Sequence, residues 1–218
     1  MKTIAFCVEQ IIASKPFIEE ALNEQIINYS ALAENLQGQI SDMLRKDVKT
    51  GAIMMALRRY NQPLNTGTSI KLKQMFNNLG DITVRSGLSD FTYSNSKTLI
   101  NSNKRVLDKI QSKDNIFYAF TRGIYESNIV ITSSERETVV NEFKNEQQIG
   151  LQENLSAITI SLPRENSKVV GLYYQIFKKL AWEGVTLYEV ISTTNEFTVL
   201  VEDKLVDKAF SVIKSLNQ

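Results

Sequence analysis

The 218 residues contain no histidine and one cysteine, and these two counts decide most of the side-chain chemistry open to the chain. Without imidazole there is no Ser-His-Asp or Cys-His nucleophile, no histidine-ligated zinc and no histidine pH sensor. Cys7 lies in the apolar run Ile4-Ala5-Phe6-Cys7-Val8 and reads as a small core residue. One thiol makes neither an intrachain disulfide nor a Cys-rich metal centre. The neighbouring acids Glu19-Glu20, Glu202-Asp203 and Glu135-Arg136-Glu137 fall at predicted helix starts, where carboxylates favour the helix dipole. They read as solvated and assemble no general acid and base. The expectation is a protein that is not an enzyme and needs no metal or cofactor.

What remains is local charge. Lys plus Arg is 25 and Asp plus Glu is 24, a net charge of +1, so any basic footprint must be regional. Between positions 40 and 75, Arg45, Lys46, Lys49, Arg58, Arg59, Lys71 and Lys73 face only Asp42 and Asp47. Arg45, Lys46, Lys49, Thr50, Arg58 and Arg59 are the candidate nucleic-acid contacts, with Lys49 and Thr50 at a helix start where a DNA phosphate could sit. The competing reading is a solvated face, because Arg58 and Arg59 occupy a last turn that the dipole favours filling with cations. Trp182 either anchors an interface or covers the local core. Of the adjacent Tyr173 and Tyr174, one should face the core and the other solvent.

The elements that must carry these residues follow from periodicity. Up to about position 68 the chain reads as helices. One spans 3–14, with Ile4, Val8, Ile11 and Ile12 on one face, and a second opens at Pro16. A third carries Leu32, Leu36 and Ile40, and a fourth carries Ile53, Leu57 and Tyr60 and stops before Pro63. The succession has the shape of a helix-turn-helix domain over residues 1–68. From about Asp81 the β-branched and aromatic clusters 82–84, 91–93, 116–120 and 129–131 read as strands, with helices at 103–111 and 135–144. The last third runs strand (156–162), Pro163, helix (167–183), Gly184, strand (185–191), turn, strand (197–201) and helix (203 or 204 to 216). That is β-α-β-β-α, and the preceding stretch repeats it loosely. Residues 148–151 could complete a sheet edge. The fold class is therefore α+β: a helical domain, a first ferredoxin-like unit over 78–148 and a second over 152–218.

Residues 170–193 run VGLYYQIFKKLAWEGVTLYEVIST, and this stretch resembles an ACT domain, most closely the regulatory half of aspartokinases. There the pattern is Pro-Gly-Val, a helix ending Leu-Ala-x-x-Gly, then Ile-Asn-Ile and a strand ending Ile-Ser. The likeness covers about 155–216 well and 80–148 loosely. The helical segment resembles the small domain that precedes an ACT pair in some prokaryotic proteins. No Gly-rich phosphate loop of the kinase half is visible. The resemblance implies an amino-acid effector held by the loop between the first strand and helix, here Arg164, Asn166, Ser167, Lys168, Val169, Val170 and Gly171, with Thr186 on the facing strand. Val170 stands where the family has proline, and Thr186 where it has asparagine. In such a loop backbone N–H groups at a helix start receive the carboxylate. Asn166 and Ser167 are also good N-cap residues, so they could occupy those donors themselves.

ACT units leave sheet edges and faces to cover, which leads us to expect a homodimer through them. With no apolar run near ~18 residues and no secretory leader pattern, no membrane association is expected and the location should be cytoplasmic. Two roles stay open. One is a small-molecule sensor, its effector an amino acid, that acts on DNA through the helical domain. The other is a regulatory or scaffolding subunit that binds protein and no DNA.

Overall fold

Alternating caps and apolar stripes set the first helices. In a computed structural model describing residues 2–60 and 66–217, with the side chains of 23 and 66–70 left aside, Thr3 caps α1 (Ile4–Ala13) and Pro16 opens α2 (Pro16–Asn23). Asn28 accepts from the Ser30 and Ala31 N–H groups to start α3 (Tyr29–Leu44), which ends where Arg45 turns left-handed at φ 52°. A short turn leads to α4 (Thr50–Arg59). It is pinned by Gln37 donating to the Val48 carbonyl and by the Val48 N–H donating to Ser41. Pro63, expected to stop α4, lies outside the described residues. Cys7, Ile12, Leu36, Ile40, Ile53 and Leu57 form the core of these helices. Cys7 is wholly buried. The chain divides into two compact units, Met1–Ser69 and Ile70–Gln218.

The second unit is entered by α5 (Thr66–Asn77) and continues β1 (Ile82–Ser94), α6 (Leu99–Ile110), β2 (Tyr118–Arg122), β3 (Glu126–Thr132) and α7 (Arg136–Glu142). Then come β4 (Gln148–Ser161), α8 (Leu172–Trp182), β5 (Glu189–Ser192), β6 (Glu196–Glu202) and α9 (Val206–Lys214). Six strands form one antiparallel sheet in the order β2-β3-β1-β4-β6-β5. The element order β-α-β-β-α occurs twice, and the long strands β1 and β4 pair at the centre.

Several details differ from the sequence reading. Segments 82–84 and 91–93 belong to one strand, and residues 148–151 are not an edge but the start of β4, paired with β1. Residues 185–188 precede β5 rather than form it. The helix expected over 167–183 is split into a 3₁₀ turn (Asn166–Lys168) and α8, because Gly171 between them adopts φ +91°. Helix α5 was not anticipated.

Alternation along each strand builds two faces. One face carries the helices: Phe91, Tyr93, Ile129 and Ile131 meet Leu99, Val106, Val139 and Phe143. On the same side Ile158, Ile160, Phe197 and Val199 meet Leu172, Ile176, Leu180 and Ile213, joined by Met75 and Phe76 of α5. Among the described residues of this unit, no helix residue joins the core on the other face. There Leu88, Val130, Leu155, Ala157 and Leu200 cluster with Ala119 and Ile191, so residues of all six strands meet and the sheet curls upon itself. The sheet face that motivated a dimer is thus covered within the chain.

The curl has a local source. The β1–β4 register slips between Arg85 and Leu88 and again between Leu88 and Asp90, where Gly87 (φ 73°) and Asn154 (φ 57°) bulge from their strands. Bulges bend the strand and strengthen its twist. A side chain at φ near +70° costs ~1–2 kcal/mol. Gly87→Val is therefore expected to lower stability by about that amount, read as a lower urea midpoint, although nothing lies within 4 Å of the added Cβ.

Candidate functional site

The β4–α8 loop is built around Asn166. This residue is 5% exposed, and its side-chain amide donates to the carbonyls of Pro163 (2.8 Å) and Thr194 (2.7 Å). Leu162 N–H donates to the Asn195 carbonyl, and the Asn195 amide returns a bond to the Leu162 carbonyl. The loop is thus sewn to the β5–β6 turn. Asn166 therefore positions the loop and does not cap α8. The N-cap is Gly171, and no side chain caps that helix. A Cβ placed on Gly171 would lie 3.7 Å from Leu72 of α5, so the loop and α5 are in close contact.

Between them lies a groove of about 420 Å³. One wall is the stripe Lys71, Gln74 and Met75 of α5 with Asn78 just past its end, and the other is Pro163, Glu165, Lys168 and Val169 of the loop. The stripe spacing is that of one helix face. Met75 is buried beneath it, and Val169 is half-buried. The polar complement is two ammonium groups, two carboxamides and one carboxylate. Lys168 pairs with Glu165 at 2.6 Å, and that hydrogen bond holds the Lys168 ammonium above its ordinary pKa.

Of the expected ligand residues, Lys168 and Val169 line this groove. Arg164, Ser167 and Val170 are exposed on the same loop outside the lining, and Gly171, also outside it, lies against Leu72 of α5. Thr186 is exposed beyond α8 and is not part of the lining. Lys71, Gln74, Met75 and Asn78 were missed; Lys71 was grouped with the basic patch. Their signal was the spacing i, i+3, i+4, i+7, but the stripe mixes one apolar residue with three polar ones.

The candidate phosphate contacts fall into two groups. Arg45 and Lys46 line a second groove of about 480 Å³ with Ser41, Asp42 and Asp47, and Lys49 and Thr50 follow at the start of α4. Arg58 and Arg59 sit ten residues on at its other end, about 15 Å away. The Arg58 guanidinium lies 5.8 Å from the Tyr29 ring centre, and Arg59 donates to the Met55 carbonyl.

Three surface expectations change. Glu135 is not solvated: it is 7% exposed and accepts from Lys113 at 2.7 Å and from Thr138 at 2.9 Å. The Lys113 bond, against burial, holds its carboxyl below the ordinary range. Trp182 is 74% exposed and covers no core. Tyr173 and Tyr174 are both partly exposed, although the Tyr173 ring packs 5.1 Å from Phe197. Among the described residues no three His, Cys, Asp or Glu side chains gather as a metal set, and no helix is long and apolar enough to cross a membrane.

No known family's sequence profile matches the chain, and no curated protein matches it. Solved structures do. The ligand-free regulatory subunit of aspartate kinase from Thermus thermophilus aligns with a TM-score of 0.53 at 7% identity, covering 64% of this chain and 99% of that one. A structure of aspartokinase alpha and beta subunits gives 0.52 at 13%, covering 63% and 97%. Aspartate kinase from Clostridium acetobutylicum gives 0.52 at 15%, with 63% of this chain spanning 34% of that enzyme. At these identities the likeness shows the fold alone, and that fold is of the ACT type.

Proposed function

We propose that this chain is a non-catalytic regulator whose second unit senses a small metabolite, an amino acid, in the groove between α5 and the β4–α8 loop. In this reading residues 82–143 and 148–216 are two ACT units joined edge to edge through β1 and β4. The observation that carries it is the groove's complement of charges. Lys71 and Lys168 suit a carboxylate, Glu165 suits an ammonium group, and Met75 and Val169 offer an apolar wall to a side chain. The solved structures it resembles support the regulatory part, since two carry aspartokinase regulatory subunits or the subunit pair.

Helix α5 is also the segment that joins the second unit to the helical unit in sequence, so a ligand bridging Lys71 and Lys168 would act on that connection. A thermal-shift screen of the twenty amino acids tests the reading. A ligand at 100 times its dissociation constant stabilises the state it binds by ~2.7 kcal/mol, and one amino acid or a chemically close set should do so. No shift with any of them contradicts it.

For the helical unit, the gathering of Arg45, Lys46, Lys49 and Thr50 at the α3–α4 turn favours a phosphate contact, and with it DNA as partner. A gel shift with random duplex at ~50 mM salt should then show weak binding that salt abolishes. Its absence favours a protein partner and a scaffolding role. Gel filtration reports the homodimer that we also propose.

A further inference from the structure

Asp90 lies in β1 and Glu189 in β5, three strands apart in the run β1-β4-β6-β5. At about 4.8 Å per strand, a flat sheet would hold them ~14 Å apart. Both face the side opposite α6–α9: Asp90 stands opposite Val130 and Glu189 opposite Leu200, two members of the cluster that closes that side. The curl brings the two carboxyl groups close enough for each to act on the other's protonation.

Asp90 is 1% exposed. One of its oxygens accepts from the Asn128 amide of β3 at 3.4 Å. Its other oxygen, and Glu189 Oε2, are buried without a partner. The groups around Asp90 are the Glu189 carboxyl and Tyr188 phenol from the β5 side, Asn128 from β3, and Gln152 opposite it on β4, whose amide donates to the Glu153 carbonyl. Among the described residues no cation is one of the groups acting on Asp90. Two carboxylates this close and this dry cannot both be charged without a counter-charge.

We infer that Asp90 and Glu189 share one proton, with the Asp90 O–H donating to Glu189, and that this acid pair is a proton-operated clasp between the two halves of the curled sheet. The proton lies between strands that only the curl brings together, so removing it sets like charges against the closure. The inference does not depend on the ligand groove. Burial first, and then the Glu189 charge, push the Asp90 carboxyl up to about 7, and burial raises Glu189 as well.

A carboxyl with a folded-state pKa above its unfolded value binds its proton more tightly in the folded chain. Its contribution is complete below the ordinary aspartate range and is lost as pH rises through about 7. The test is urea unfolding of the full chain, followed by circular dichroism from pH 5 to 8.5. The unfolding constant of the wild type should rise by up to about tenfold per pH unit until near pH 7 and then level off. Asp90→Asn keeps a neutral donor toward Glu189, so it should flatten that rise and resist urea better than wild type at pH 8. Glu189→Gln should flatten it too and serves if the first variant does not fold. An unchanged pH slope in both variants overturns the clasp, as does failure of both to fold. It is also overturned if calcium or magnesium at pH 8 restores the wild type to its pH 5 resistance, which would make the pair a cation site.

Discussion

Phe197→Ala is expected to destabilise the second unit by about 3–5 kcal/mol, the usual cost of deleting a large ring from a packed core. Phe197 is 1% exposed in β6 and stands opposite Ile160 of β4. The rings of Tyr173 and Phe177 on α8 lie 5.1 and 5.7 Å from it, and the same cluster includes Met75 and Phe76 of α5. The ring therefore supports both helices that position the groove. Urea unfolding checks the prediction, and Phe197→Leu should lose much less. A loss below ~1 kcal/mol for the alanine variant would mean that α8 does not rest on β6 in solution.

The second large effect concerns affinity. Lys71 and Lys168 approach the groove from opposite walls, and both are exposed enough that truncation should barely change folding. A charge-assisted hydrogen bond to a carboxylate is strong. Its loss should weaken binding about tenfold to a hundredfold for each of Lys71→Ala and Lys168→Ala. Arg58→Ala, in the helical unit, should leave affinity unchanged. Equal losses in all three variants would point to a general charge effect, and no loss in either lysine variant would remove the groove as the binding site.

The legible parts of this fold were those decided locally. Leu172, Ile176 and Leu180 recur at i, i+4 and i+8, and they form the buried stripe of α8 because that period alone selects one helix face. Pro163 and Gly184 bound the right segment for the same reason. Helix α5 escaped: Leu72, Met75 and Phe76, with Leu79 just past its end, do recur at i, i+3, i+4 and i+7, but the stripe is only two turns long and its burial comes from partners about a hundred residues away. Segments 82–84 and 91–93 read as two strands and are one, with a bulge at Gly87 between them, a distinction only the partner strand can make.

The groove was half legible for a related reason. Lys168 and Val169 were found through the loop they occupy, while the facing wall belongs to the helix that went unread. Asn166 caps no helix; its side-chain amide bonds to Pro163 within the loop and to Thr194 across the sheet end. Asp90 and Glu189 carried no signal at all, since each is an ordinary strand carboxylate until the sheet curls. Glu135 likewise has its partner, Lys113, in the loop after α6, and the sequence does not bring the two together.

The central claim is that an amino acid occupies the groove between α5 and the β4–α8 loop. Isothermal titration of the full chain with the amino acid selected by thermal shift, repeated on Lys71→Ala and Lys168→Ala, tests it most directly. The account predicts saturable binding of one ligand per groove, weakened at least about tenfold in each variant. Affinity that is unchanged in both variants, or no saturable binding of any of the twenty, would contradict it.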